Sequence, residues 1–246
     1  NIVDSIKASI LTPIHPAGIP FISLFFVLTI IIGWFWTPLY YVGFTLTLWC
    51  IYFFRNPSRT TPTFSGSNKN NLIISPADGT VTEISKINPT EDIGLPEGKW
   101  TRICVFMNVF DVHVNRSPMS GLITYKKYIP GSFVNASLDK ASEENERLIL
   151  NMDTENGKKI AFVQIAGLVA RRIICDVDIG HSLKAGEIFG LIRFGSRVDI
   201  YFPSEVSVMV LKGQKMIAGE TIIGDFSKNA KSCLLYTSDA ADDWSS

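Results

Sequence analysis

From Pro16 to Phe54 the chain carries no charged residue, and the stretch FISLFFVLTIIIGWFWTPLYYVGFTLTLWCIYFF (21–54) continues uncharged for 34 residues. One membrane-spanning helix needs only about 20. The run is therefore either one long tilted helix or two shorter ones broken within GWFWTP (33–38), where Pro38 and the rings of Trp34 and Trp36 favour an interfacial turn. The hairpin is the preferred reading. A secretory signal would have a shorter apolar core and a small-residue cleavage site. Lys7 before the run and Arg55 and Arg59 after it place both ends of a hairpin on the cytoplasmic side. A buried hydrophobic hairpin is the soluble alternative.

The pattern then changes. RNPSRTTPTFSGSNKNN (55–71) has the proline, serine and asparagine of a linker. Beyond it, short runs replace the long one. NLIISPADGTVTEI (71–84) reads as two strands around an Asp-Gly turn, RICVFMNVFDVHVNR (102–116) as a strand pair or one bent strand, and KKIAFVQIAGLVARRIICDV (158–177) continues the series. NASLDKASEENERLIL (135–150) has helical composition at its centre but is polar and short. GHSLKAGEIFG (180–190) and GQKMIAGETII (213–223) share a glycine, Ala-Gly-Glu and an apolar fourth position at an offset of 33 residues, each a turn feeding a strand. Two pseudo-symmetric halves of a small β-sandwich are expected. The fold class is mostly β (α+β): a β-sandwich or barrel-sandwich-like domain over residues 72–228, a linker at 59–71 and a membrane-anchoring region at 1–58.

Composition adds little. Lys+Arg and Asp+Glu both number 23, so no basic field points to nucleic acid. The four cysteines, Cys50, Cys104, Cys175 and Cys233, and the three histidines, His15, His113 and His181, lack zinc-motif spacing and read as reduced thiols and no metal site. The tail CLLYTSDAADDWSS (233–246) breaks the pattern, resembles translated sequencing adapter and receives no role.

Three positions could carry chemistry. Ser196 follows a glycine, Gly195, at the head of the strand-like RFGSRVDIYFP (193–203), His113 lies inside a largely apolar strand, and Asp78 precedes a turn glycine. Each also has a plain structural reading as a bend, a hydrogen-bonded core residue and a turn. Together they supply nucleophile, base and orienting acid.

HPAGIPF, FFRNP, SPADGTV, FMNVFDVHVNRSPMSG, NERL, QIAGLVARRIIC, LKAGEIFGLIRFGSRVDIYFP and GQKMIAGETIIG together resemble the short, prokaryotic form of the phosphatidylserine decarboxylases, over residues 15 to 226. The resemblance implies self-cleavage: the Ser196 hydroxyl attacks the Gly195 carbonyl, the peptide becomes an ester, and elimination then hydrolysis leave a pyruvoyl group at residue 196. Gly195 would end a β chain and the pyruvoyl would head an α chain, the two forming a heterodimer or a higher oligomer of it. The pyruvoyl would form a Schiff base with the amine of phosphatidylserine and act as electron sink when carbon dioxide leaves, with no metal or diffusible cofactor. The product implied is phosphatidylethanolamine, and the place implied is the cytoplasmic face of a bacterial inner membrane. Longer members carry Leu-Gly-Ser-Thr and His-x-x-His where this chain has Phe194-Gly195-Ser196-Arg197 and Phe110-Asp111-Val112-His113. That leaves His113 to serve both cleavage and decarboxylation, or one role to another group. Rival readings are a non-catalytic barrel-sandwich carrier or membrane adaptor, and a decarboxylase of a different phosphoserine lipid.

Overall fold

A computed structural model describes residues 12–63, 71–131, 144–167, 172–193 and 195–229. The tail at 233–246, Lys7 and the helix-like centre of 135–150 lie outside them. The long apolar run is a hairpin of two helices, α1 (Ile19–Phe35) and α2 (Pro38–Phe53). Trp36 turns extended, with φ −153°, and Pro38 opens α2 at a position where its missing N–H costs nothing. The arms, of 17 and 16 residues, are each about 25 Å long at ~1.5 Å per residue. They meet closely: a Cβ on Gly33 would lie 2.4 Å from the Tyr40 ring, and one on Gly43 2.4 Å from the Thr29 hydroxyl. Small residues at such a contact are what allow two apolar helices to pack. Outward, Phe26, Ile31, Phe35, Trp36, Tyr41 and Phe44 are more than half exposed. The helix from Pro16 to Phe35 is long and apolar enough to cross a membrane; α2 is apolar but shorter.

The remaining described chain is built of strands β1 (Leu72–Ile74), β2 (Gly79–Ile87), β3 (Trp100–Met107), β4 (Val114–Arg116), β5 (Gly121–Ile129), β6 (Arg147–Thr154) and β7 (Lys159–Ala166), then β8 (Ile173–Cys175), β9 (Ser182–Leu183), β10 (Ile188–Ile192), β11 (Ser196–Pro203), β12 (Val206–Val208), β13 (Lys215–Met216) and β14 (Ile222–Asn229). One large sheet runs β13-β2-β3-β11-β7-β6-β5-β9, and two small ones run β1-β14-β12 and β4-β10-β8. The protein is mostly β, as the short strand-like runs require. Two local expectations are corrected. β1 does not pair with β2 across the Asp-Gly turn but with β14, and β4 pairs with β10 instead of folding back on β3.

The expected pseudo-symmetry is present and reaches further than the Ala-Gly-Glu repeat. β13 and β9, which open the two repeat units, occupy opposite edges of the large sheet, while β14 and β10, which close them, are the central strands of the two small sheets. A second repeat, missed in the sequence, is SPADG (75–79) against SPMSG (117–121). In both, the buried serine hydroxyl donates to the carbonyl two residues on, Ser75 to Ala77 and Ser117 to Met119, each at 2.7 Å. The signal was weak because only serine, proline and glycine recur.

The main core lies between the large sheet and the two small ones, where Val198, Ile200 and Phe202 of β11 meet Ile73, Phe189, Ile192 and Ile223. The other face of the large sheet carries a smaller cluster of Ile149, Ala161, Val163, Ile165 and Tyr201. A third cluster breaks the symmetry. Cys50, Phe53 and Phe54 at the foot of the hairpin pack with Val112, Val114 and Leu191, on the outer face of the β4-β10-β8 sheet alone.

Candidate active site

β11 is held on both sides, by β3 with Ser196 opposite Met107 and by β7 with Ser196 opposite Ala166. The strand therefore begins, at Ser196, in the middle of the large sheet and not at its edge. Gly195 just before it has φ +67°, the left-handed region that glycine enters without steric cost. No described residue would obstruct a Cβ there, so among them it is the backbone conformation and not crowding that calls for glycine. Ser196 is fully buried, and its hydroxyl has no hydrogen-bond partner among the described residues. An orphaned buried hydroxyl is costly to keep, which makes Ser196 a candidate for chemistry.

His113 is brought to this point from 82 residues away. The Gly195 N–H donates to its Nε2 at 3.2 Å. On the other side of the ring, Nδ1 lies 2.9 Å from the Asp111 carbonyl oxygen. A carbonyl only accepts, so Nδ1 carries the proton and Nε2 presents its lone pair. Burial pushes the imidazole pKa down to about 4, the Asp111 carbonyl opposes the shift, and the nearby Arg55 charge reinforces it. His113 is thus a neutral imidazole whose Nε2 lone pair accepts from the Gly195 N–H, beside the Gly195-Ser196 peptide.

Asp78 does not touch His113. One carboxylate oxygen pairs with Arg59 at 2.7 Å, and the other accepts from the Ala218 N–H at 2.7 Å. Burial pushes its pKa up, while Arg59 and the Ala218 N–H oppose the shift. The symmetry-related position explains the second bond, since Ser120 accepts from the Ala185 N–H at 3.0 Å in the same way. Asp78 is therefore a cap on an Ala-Gly turn that has gained an ion pair to the linker. The task assigned to it, orienting the imidazole, falls in this geometry to the Asp111 main chain. A carbonyl serves as well as a carboxylate for fixing a tautomer, and no side-chain pattern reveals it.

The linker is strapped across both Ala-Gly-Glu turns. Arg116 donates to the Gly186 carbonyl, to Asn56 Oδ1 and to the Pro57 carbonyl, and the Thr60 N–H donates to Glu220. Arg59, paired with Asp78, ties the linker to the β domain as well. Arg55 donates to the carbonyls of Tyr52 and Phe110 and stacks on the Tyr52 ring.

The sequence signature of the phosphatidylserine decarboxylases matches residues 46–224. A protein of Ruegeria pomeroyi described as phosphatidylserine decarboxylase proenzyme is 51% identical over 219 residues, which cover 89% of this chain and 98% of that protein. The match over most of the chain and the named relative together make the chain a decarboxylase. The chain belongs to the phosphatidylserine decarboxylase family. The carrier or adaptor reading is not favoured.

Proposed function

We propose that the chain is a precursor that cuts itself between Gly195 and Ser196 and then decarboxylates phosphatidylserine to phosphatidylethanolamine. The observation that carries the reading is the meeting of three features: a buried hydroxyl without a partner, a glycine at φ +67° before it, and the lone pair of His113 at the same peptide. The word proenzyme in the description of the Ruegeria pomeroyi relative supports it.

In the first step His113 Nε2 exchanges the Gly195 N–H for the Ser196 hydroxyl proton, and the oxygen adds to the Gly195 carbonyl carbon. The carbon–nitrogen bond breaks and the new amine takes up a proton, leaving an ester. Loss of the Ser196 α proton then expels the Gly195 carboxylate. One water hydrolyses the resulting dehydroalanine, releasing ammonia and leaving the pyruvoyl group at residue 196. The residues fit that group, since Ser196 is dry, fixed in a central strand and adjacent to one neutral base. The pyruvoyl group supplies the electron sink for the pair left when carbon dioxide departs. His113, having taken a proton, would return one to the substrate carbon.

Cleavage would not release the fragment. β11 heads the α chain yet lies between β3 and β7, paired from Ser196 to Pro203 on one side and to Tyr201 on the other. The β and α chains would remain one folded heterodimer. The apolar hairpin would hold that heterodimer at the cytoplasmic face of an inner membrane, with the lipid substrate delivered at the hairpin's foot.

Ser196→Ala tests the reading. Intact mass and denaturing electrophoresis should show one full-length chain without decarboxylase activity, against two fragments, the smaller blocked at its N-terminus, for the unaltered protein. Two fragments from the alanine variant would sink it.

A further inference from the structure

The described arginines with most of the side chain buried are nearly all matched by an acid. Arg59 pairs with Asp78, Arg102 with Glu83, Arg147 with Asp92 and Arg197 with Asp199. Arg193 differs. It follows β10, three residues before Ser196, and makes no ion pair among the described residues. Its Nε is buried and meets no acceptor there. Its guanidinium lies over the Phe21 ring at 4.8 Å, at the foot of α1. Its main-chain N–H donates to the Arg172 carbonyl at 3.3 Å, continuing the β10–β8 ladder past Ile192 and Ile173, so the second cation is its cross-strand neighbour. Both burial and the Arg172 charge push the Arg193 pKa down. Like charges opposed across a ladder are destabilising, and a buried Nε without an acceptor adds to that cost. An anion placed between them reverses both penalties.

We propose that Arg193, with Arg172 beside it, seats the phosphodiester of the substrate headgroup. This rests on the decarboxylase reading above. The position suits a lipid phosphate: the stacked Phe21 belongs to the hairpin, so the seat lies where acyl chains would meet the protein. An extended chain of three residues spans at most about 10 Å. The phosphate and the amine of phosphoserine are only a few bonds apart, so a phosphate at Arg193 leaves the amine near residue 196.

The substrate has two anionic groups, and the chemistry selects between them. The carboxylate loses its charge as carbon dioxide forms. Arginines on it would stabilise the ground state more than the transition state and slow the reaction. The phosphodiester keeps its charge throughout, so holding it lowers KM without opposing the chemical step. A planar guanidinium can meet two phosphate oxygens at once, which an ammonium cannot.

The test uses matured protein, normalised to the fraction of pyruvoyl-bearing α chain by intact mass, and soluble dihexanoyl phosphatidylserine. Arg193→Gln should raise KM by about 10-fold or more, the effect expected for losing a charge-assisted contact, with kcat little changed. Arg193→Lys should fall between. Arg172→Gln, at an exposed side chain, should raise KM as well and reads the same seat if Arg193→Gln matures poorly. A loss of kcat at unchanged KM, or unchanged KM in both glutamine variants, would overturn the proposal. Binding is read separately in the uncleaved Ser196→Ala chain by calorimetry with dihexanoyl phosphatidylmethanol, which has the diester but no amine or carboxylate. Its affinity should fall by about 10-fold with Arg193→Gln. Equal binding to both chains, or displacement of the diester by inorganic phosphate at equal concentration, would refute a lipid headgroup seat. If the unaltered mature protein fails to release carbon dioxide while the binding difference stands, it is the decarboxylase reading that fails.

Discussion

Phe53, the last residue of α2, places its ring 4.3 Å from the His113 imidazole, centroid to centroid and tilted by 36°. Both side chains are completely buried. The foot of the hairpin is therefore the wall that keeps water from the base, and the position of the apolar helices is coupled to the protonation of a group in the β domain. Phe53→Leu should keep the packing, whereas Phe53→Ala opens a cavity at a cost of about 3–5 kcal/mol. With water admitted, the His113 pKa should climb from about 4 toward its ordinary 6.5. The acid limb of the cleavage rate would then move to higher pH in the alanine variant and stay nearly in place in the leucine one. A time course of cleavage at a series of pH values reads this directly, and identical limbs in all three proteins would break the link.

The same group sets an acid dependence of stability. In the unfolded chain His113 takes up a proton near pH 6.5, and in the fold only near pH 4, because burial disfavours the charged form. The unfolded state thus binds more protons between those values, and its share of the equilibrium grows as pH falls through them. Stability from this residue should be complete above about pH 6.5 and decline toward pH 4. In uncleaved Ser196→Ala, the drop in melting temperature over that window should shrink when His113→Gln is added.

Gly195 is required by its backbone and not by space. Asparagine visits the left-handed region more readily than other residues with a side chain, alanine at about 1 kcal/mol, and valine worst. Cleavage rates should therefore fall in the order Gly195→Asn, Gly195→Ala, Gly195→Val. The folded β domain should remain in all three, as judged by circular dichroism. Equal rates across the series would mean that the positive φ is not part of the reaction.

Asp78 and Arg59 form one ion pair, so their effects should not add. Asp78→Asn and Arg59→Gln should slow cleavage by similar factors, and the double variant should be no worse than either. Asp78→Ser, which copies Ser120, should retain the turn and most of the melting temperature, while Asp78→Ala leaves the Ala218 N–H unsatisfied at about 1–3 kcal/mol. Asp78→Asn far worse than Arg59→Gln would return Asp78 to the imidazole, as the residue pattern first suggested.

The hairpin should resist extraction. The 18 exposed large apolar side chains from Ile19 to Tyr52, at about 1.5–3 kcal/mol each, outweigh any screened ionic contact. The protein should stay with membranes through high salt and alkaline carbonate. Recovery in the carbonate supernatant would argue for a soluble partner covering α1 and α2.

The sequence by itself determined the features that are local. An uncharged run longer than one span specified apolar helix, because helix length is written in consecutive residues; Trp36 and Pro38 favoured a hairpin over one tilted helix, and the structure decided for the hairpin. Short alternating runs and the Ala-Gly-Glu turns specified strands and a repeat. The blocks around Gly195-Ser196 marked the family, and with it the candidate nucleophile. Only the tertiary structure decided which elements meet. Alternation tells which face of a strand is buried but not which strand lies beside it, so β1 could choose β14 over β2. Main-chain partners leave no trace in residue types, which is why the Asp111 carbonyl and the Ala218 N–H were not legible as the groups that hold His113 and Asp78. The approach of His113 to Gly195 closes a separation of 82 residues, and it is fixed by the packing of two sheets against each other and of Phe53 against the ring. Those are properties of surfaces assembled from distant segments, and they exist only once the chain has folded.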